Sequence, residues 1–402
     1  MPGLRWLAAL GACFALSVSA QTTPVPTGAS APSAQREPEQ PPSLIPRSHE
    51  ERERRFQMEH RIILNVQVTD PSGNPVRKLD AKDFTLLQDR QPHALVSFRT
   101  VDGPNASAPT HVIVLLDGVN DSSRDIVKDR KEIERYLRNS QPPLRYPISI
   151  TVLSESGATA GQPSRDRDVL LGELKNLASH LHPIGCADQE DPNEAFLASW
   201  MPAMVGAASR MASDHQLSCL DKRFLLSVTA LEKIAHEQAN IPGRAILIWV
   251  GPGWPLLYNK EFRSDDSGLK RRLFGNLVEV STALREAQVT LDMVSPPDQF
   301  RRTPALNDHD RSFLNGVPNE KEVTSGSLSL QALAHQSGGQ VPIENKDIPE
   351  GIAACIADGE SYYVLSFDSA PAAGPDEYHA LEVKVDDARL KVRTNTTFYA
   401  EQ

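Results

Sequence analysis

The residues best placed to do chemistry are the oxygen-bearing side chains gathered at one strand end. Residues 111–117 read His-Val-Ile-Val-Leu-Leu-Asp, and Asn120, Asp121, Ser122 and Ser123 follow directly. Five consecutive apolar residues, rich in β-branched types, predict a strand buried on both faces of a parallel sheet. Ligand sites in open α/β sheets lie outside the carboxyl ends of strands, where Asp117 falls. A carboxylate there either ligates an incoming group or hydrogen-bonds its own loop beside the next helix N-terminus.

The remaining constellations carry less. Gly251-x-Gly253 follows a strand, but the third glycine of a dinucleotide turn is absent, and Pro252 and Pro255 prevent a helix from opening there. Trp254 in that turn, with Trp249 on the strand, offers an apolar rim at the sheet's upper edge. Asn307-Asp308-His309-Asp310 are loop neighbours, and His180 and His182 cannot share a helical face. No nucleophile elbow, H-E-x-x-H or P-loop lysine occurs, so a non-catalytic role is expected. An extracytoplasmic hydrolase built from scattered residues, with a pocket under the 296–324 loop, is the alternative.

The elements that must position these residues follow from the rest of the chain. At 402 residues it is long enough for two domains, and a net charge of −10 argues against a nucleic-acid surface. Residues 1–20 have the pattern of a signal peptide: Arg5, an apolar core, and Val18-Ser19-Ala20 as a cleavage site. This predicts export to the periplasm or medium; Leu10-Gly11-Ala12-Cys13 is a poorer lipoprotein signal. Residues 21–58 form a Pro-rich linker expected to be disordered, and no later stretch has the apolar length of a membrane span.

Residues 59–105 read as β structure, as do residues 359–402, and neither half is large enough to stand alone. They are expected to form one β-sandwich. Between them, 108–358 alternates strands and helices: an α/β domain with a mostly parallel, Rossmann-like central sheet flanked by helices. Within it, 182–223 reads as an insertion, 296–324 as a mobile loop, and 340–343 as a short edge strand. Helices are expected over 193–211 and, separately, 224–239. Removal of Cys13 leaves Cys186 and Cys219 as a candidate disulfide and Cys355 as a buried thiol.

The Asp after a buried strand, the helix-opening loop and the final helix bounded by Gly338-Gly339 together resemble a von Willebrand factor type A (VWA) domain. The match is closer to a branch of secreted bacterial VWA-related proteins. Residues 66–84 are similar to that branch's opening; 333–339, 362–365 and 392–399 are similar to its end. The resemblance implies a metal-ion-dependent adhesion site, in which an Asp-x-Ser-x-Ser loop, a Thr and a second Asp hold Mg²⁺ with an open position for a partner's carboxylate. Asp117 matches the first position, Val119 stands at the first serine, Asp121 at the second, and Thr159 matches the threonine. Gly251-Pro252-Gly253 stands where the last aspartate belongs. The implied function is a secreted protein-binding module with a degenerate metal site and no cofactor. Its partner would be another extracytoplasmic protein, met at a rim of Asp117, Asn120, Ser122, Thr159 and Trp254. A metal-dependent adhesin using Asp117, Asp121 and Thr159 is a further alternative.

Overall fold

The computed structural model describes residues 60–103, 109–181, 184, 202–254, 267–295, 314, 316–323, 325–341 and 347–400. The signal-peptide and linker readings, Cys186, His182, the 307–310 cluster and most of the 296–324 loop lie outside those residues.

Strands β1 (Arg61–Thr69), β2 (Phe84–Gln88), β3 (Gln91–His93) and β4 (Ser97–Asp102) precede the α/β region. It begins with β5 (Thr110–Asp117), α1 (Ser123–Asn139), β6 (Ile148–Ser154), β7 (Gly157–Ala160) and α2 (Arg167–Leu177). Then come α3 (Pro202–Ala239), β8 (Arg244–Val250), α4 (Ser267–Glu286), β9 (Val289–Val294), α5 (Leu330–Gln336) and α6 (Ile348–Ala357). Strands β10 (Ser361–Asp368), β11 (Glu377–Val385), β12 (Lys391–Arg393) and β13 (Thr397–Ala400) follow. Among the described residues, no helix is long and apolar enough to cross a membrane.

The central sheet has the order β7-β6-β5-β8-β9. β5 runs parallel to β6 and β8, and β8 parallel to β9; only β7 is antiparallel, on the edge beside β6. The unbroken apolar runs of β5 and β8 make sense in this place, because helices cover both faces and no position faces water. Val112 pairs with Ile246, and every residue of 112–116 and 246–250 is buried. Ile113, Leu115, Leu247 and Trp249 pack on one side, with Phe224 and Leu231 of α3 and Leu277 of α4. Val112, Val114, Leu116 and Ile248 pack on the other, with Ile133 of α1, Leu174 of α2 and Ile352 of α6.

Two four-stranded sheets, β12-β1-β10-β4 and β13-β11-β2-β3, are built from both ends of the chain. β10 lies antiparallel between β1 and β4, and β11 between β2 and β13. Leu64 and Val66, Phe84 and Leu86, Leu365 and Phe367, and Val383 share one apolar cluster between these sheets. The fold is therefore mixed α/β, a mostly parallel sheet with antiparallel sheets beside it.

Two local expectations need correction. The separate helices over 193–211 and 224–239 are, from Pro202 onward, one helix reaching Ala239. The stretch 212–223 contains no glycine or proline to break it. α3 thus runs unbroken from within 182–223 into residues that pack on the sheet. Of the edge strand expected over 340–343, only Gln340 and Val341 are described; they form no strand, though Met293 N–H donates to the Gln340 carbonyl.

Candidate functional site

β5 ends by carrying Asp117 to the top of the sheet, and the following turn folds back on its carboxylate. Oδ1 accepts the backbone N–H groups of Val119 and Asn120, both at 3.0 Å. The Asn120 side-chain amide donates to both oxygens, at 3.1 and 2.9 Å, and to Ser227 Oγ at 2.9 Å. From β8, the indole N–H of Trp249 donates to Oδ2 at 2.9 Å. Asp117 is 1% exposed. Burial pushes its carboxyl above the usual carboxylate range, against the pull of Asn120, the Val119 amide and Trp249.

Gly251 follows β8 at φ +137°, and a Cβ there would stand 2.7 Å from Cβ of Asp117. The position opposite Asp117 is thus closed to any side chain.

The helix start is conventional. Ser122 is the N-cap of α1: its hydroxyl accepts from Asp125 N–H and donates to the Asp125 carboxylate at 2.7 Å. Less conventional is the face below it, where Asp125 and Asp129 occupy core-facing positions ahead of Ile133 and Leu137. The carboxyl of Asp129 is pushed up to about 8 by burial, then by the charges of Asp121 and Asp125. Its Oδ1 and Oδ1 of Asn120 are buried without a hydrogen-bond partner among the described residues.

The expected rim is rearranged by burial. Ser122 and Thr159 are exposed, but Asp117, Asn120 and Trp254 are all buried. Trp254 turns inward, donating its indole N–H to the Leu328 carbonyl at 2.7 Å and meeting Trp249 edge-on at 5.6 Å. A turn tryptophan with an apolar pocket beneath it gains more by packing than by facing water. Thr159 sits on β7 opposite Val152 of β6, so two strand spacings, roughly 10 Å, separate it from β5. It does not join Asp117 in a common ligand shell. Among the described residues, no group of three or more His, Cys, Asp or Glu is arranged to hold a metal ion.

Cys219 is disulfide-bonded, and Cys355 is a buried free thiol. The other half of the proposed bridge, Cys186, is outside the described residues.

A second polar constellation escaped the sequence reading. Arg244, at the start of β8, is 4% exposed; it donates to Thr290 Oγ1 and the Asp358 carbonyl and lies over the Tyr362 ring. Arg393 of β12 donates through Nη2 to both Asp358 oxygens at 2.8 Å. Gln340 N–H donates to Asp292 Oδ1 at 2.5 Å. Burial and the Asp358 charge push the Asp292 carboxyl up to about 7. These groups tie the parallel sheet to the β12 strand. One signal did exist: a carboxylate within the apolar run Val289–Val294 must be satisfied internally if that strand is buried.

No family model matches the chain, and no curated protein matches it. Among solved structures, three N-terminal domains of the type V pili tip protein Mfa5 from Porphyromonas gingivalis are 9% identical, covering 50% of this chain and 29% of that one, with a TM-score of 0.18. The human COPII-coat protein Sec24c is 8% identical, covering 73% of this chain and 44% of that one, with a TM-score of 0.25. The chain spans less than half the length of either. Likenesses this weak carry no argument about fold or function.

Proposed function

We propose that the chain is an exported, non-catalytic protein-interaction module on a Rossmann-like, VWA-type core, whose top face works without a divalent cation. The observation that carries this reading is the state of Asp117. Both of its oxygens are engaged by N–H donors from Val119, Asn120 and Trp249. A Mg²⁺ ion wants near-octahedral oxygen ligands and gives up its water reluctantly. To reach Asp117 it must displace these donors and leave them unpaired in a buried site, at about 1–3 kcal/mol each. Val119 brings no oxygen in return, and Gly251 has no room for a ligand. The residues present do not fit the metal site that the family resemblance implies.

A partner would then meet the exposed residues around this buried centre: Ser122, Ser123 and Arg124 at the start of α1, and Ser156 and Thr159 beside β7. The buried Asp117 hub holds the first of these loops in shape, so recognition rests on a preorganised surface instead of an ion bridge.

Affinity capture from the native extracytoplasmic fraction, with and without EDTA, is the functional test. The expected result is one partner retained equally in both, with loss on Ser123→Glu or Thr159→Glu. Calorimetric titration with Mg²⁺ and Mn²⁺ is expected to show no stoichiometric binding. Micromolar binding that vanishes in Asp117→Ala, together with EDTA-sensitive capture, would restore the metal-dependent adhesin.

A further inference from the structure

The outer edge of the parallel sheet and strands β11 and β12 enclose a cleft of about 670 Å³. Val294, Val341 and Ala354 make its apolar side, and it is bordered across from them by Leu381, Val383 and Val392, whose side chains pack into the cluster between the two antiparallel sheets. The polar lining includes His335, Gln340, Glu382, Lys391, Arg393 and Asn395. Clefts of this size, mostly apolar with a few convergent polar groups and lying where two structural layers meet, are the usual form of a small-molecule site.

The charges around it select the ligand. Behind the wall, Arg244 and Arg393 stand against Asp358 and Asp292, two cations and two acids, so that inner network brings no net negative charge to the cleft. Glu382 at the mouth is engaged by Lys384 at 3.2 Å. Lys391 is exposed and pairs with no acid among the described residues, which leaves the mouth with surplus positive charge. Arg393 spends Nη2 on Asp358 and Nη1 on the Gly338 carbonyl, and its Nε has no partner among the described residues. The side chains of His335 and Asn395 likewise form no hydrogen bond there. Burial lowers His335, so near neutral pH the ring is an uncharged donor and acceptor.

We propose that this cleft binds a small aliphatic carboxylate, its acid group at Arg393 and Lys391 and its chain against Val294, Val341 and Ala354. The site is separate from the Asp117 face, and its occupancy does not depend on the partner-binding role. A carboxylate suits an arginine edge that still has a donor to give, and each buried methylene adds roughly 0.8 kcal/mol.

The test uses the full chain titrated with octanoate, octylammonium and 1-octanol, followed by amide NMR shifts and calorimetry. Octanoate is expected to shift amides of 338–341 and 391–396 and to bind at least tenfold more tightly than octylammonium. Lys391→Glu, at an exposed position, should weaken octanoate about tenfold. Ala354→Trp and, independently, Val341→Trp should fill the cleft and abolish binding while amide dispersion elsewhere is kept. Octylammonium binding as tightly as octanoate, octanoate binding that survives in a folded cleft-filling variant, or no octanoate shifts at millimolar concentration would each overturn the proposal.

Discussion

The indole N–H of Trp249 reaches across the β5–β8 pair to Oδ2 of Asp117 at 2.9 Å. This contact joins the residue with the most evident chemistry to a side chain that reads, in sequence, as part of an apolar rim. It occupies the oxygen that a cation would otherwise claim, and it explains why Asp117 can be 1% exposed without a charged partner.

Trp249→Phe keeps an aromatic ring in the core but removes the donor. Oδ2 then loses its indole partner, and the expected cost is about 1–3 kcal/mol beyond the loss of ring volume. A double-mutant cycle with Asp117→Asn separates the two contributions. The pair should show a coupling of roughly 0.5–3 kcal/mol in urea unfolding. Strict additivity would mean the hydrogen bond contributes nothing.

Asp129 sets a pH dependence whose sign follows from its raised pKa. An unfolded aspartate titrates near 3.9, whereas the folded one is pushed up to about 8. The neutral carboxyl therefore favours the fold fully below about pH 4, and that stability is lost as pH rises towards 8. While Asp129 alone titrates, the slope reaches at most about 1.4 kcal/mol per pH unit. Asp129→Asn should flatten the profile, so the variant gains on the wild type between pH 5 and pH 8. Equal differences at the two pH values would show that Asp129 is ionised throughout.

How much of this could be read from sequence depends on how local the cause is. The β5 and β8 strands were legible because each carries its signal in a handful of adjacent residues. Asp117 at the strand end and Ser122 at the helix start were legible for the same reason. The Asp117–Trp249 contact was not, since 132 positions separate the two and a strand tryptophan is ordinarily satisfied by packing. Arg244, Asp292, Asp358 and Arg393 are scattered over three strands and a helix end, so no spacing announces them. Trp254 misled for a physical reason: the loop places it in a turn, where exposure is the default, but an apolar pocket and the Leu328 carbonyl draw it inward.

Cysteine pairing can be read directly. Non-reducing peptide mapping of the protein should recover a Cys186–Cys219 cross-link. Cys355 should resist alkylation until the protein is unfolded, because burial and the acids around it push its thiol well up. The bridge would close a loop of about 33 residues, contributing roughly 3–4 kcal/mol in the chain-entropy account. A Cys219 peptide linked elsewhere, or free, would remove this assignment.

The interleaving of the two chain ends makes truncation informative. Removing residues 361–402 deletes β10 from between β1 and β4, β12 from the edge beside β1, and β11 with β13 from the side of β2. Leu64, Val66, Phe84 and Leu86 then lose the facing side chains of Leu365, Phe367, Leu381 and Val383. β1 also loses its neighbours on both edges, leaving an apolar strand with unpaired backbone groups, a template for association. Arg393 goes with the deleted segment, so both Asp358 carboxylate oxygens lose the Nη2 donor that holds them. That change strains the parallel sheet as well as the β unit, because Asp358 also meets Arg244 through its carbonyl. The truncated protein should elute as aggregates in size-exclusion chromatography and lose near-UV circular dichroism from Trp249 and Trp254. A monomer with unchanged near-UV signal would show that the α/β region and the first four strands are stable without the C-terminal strands.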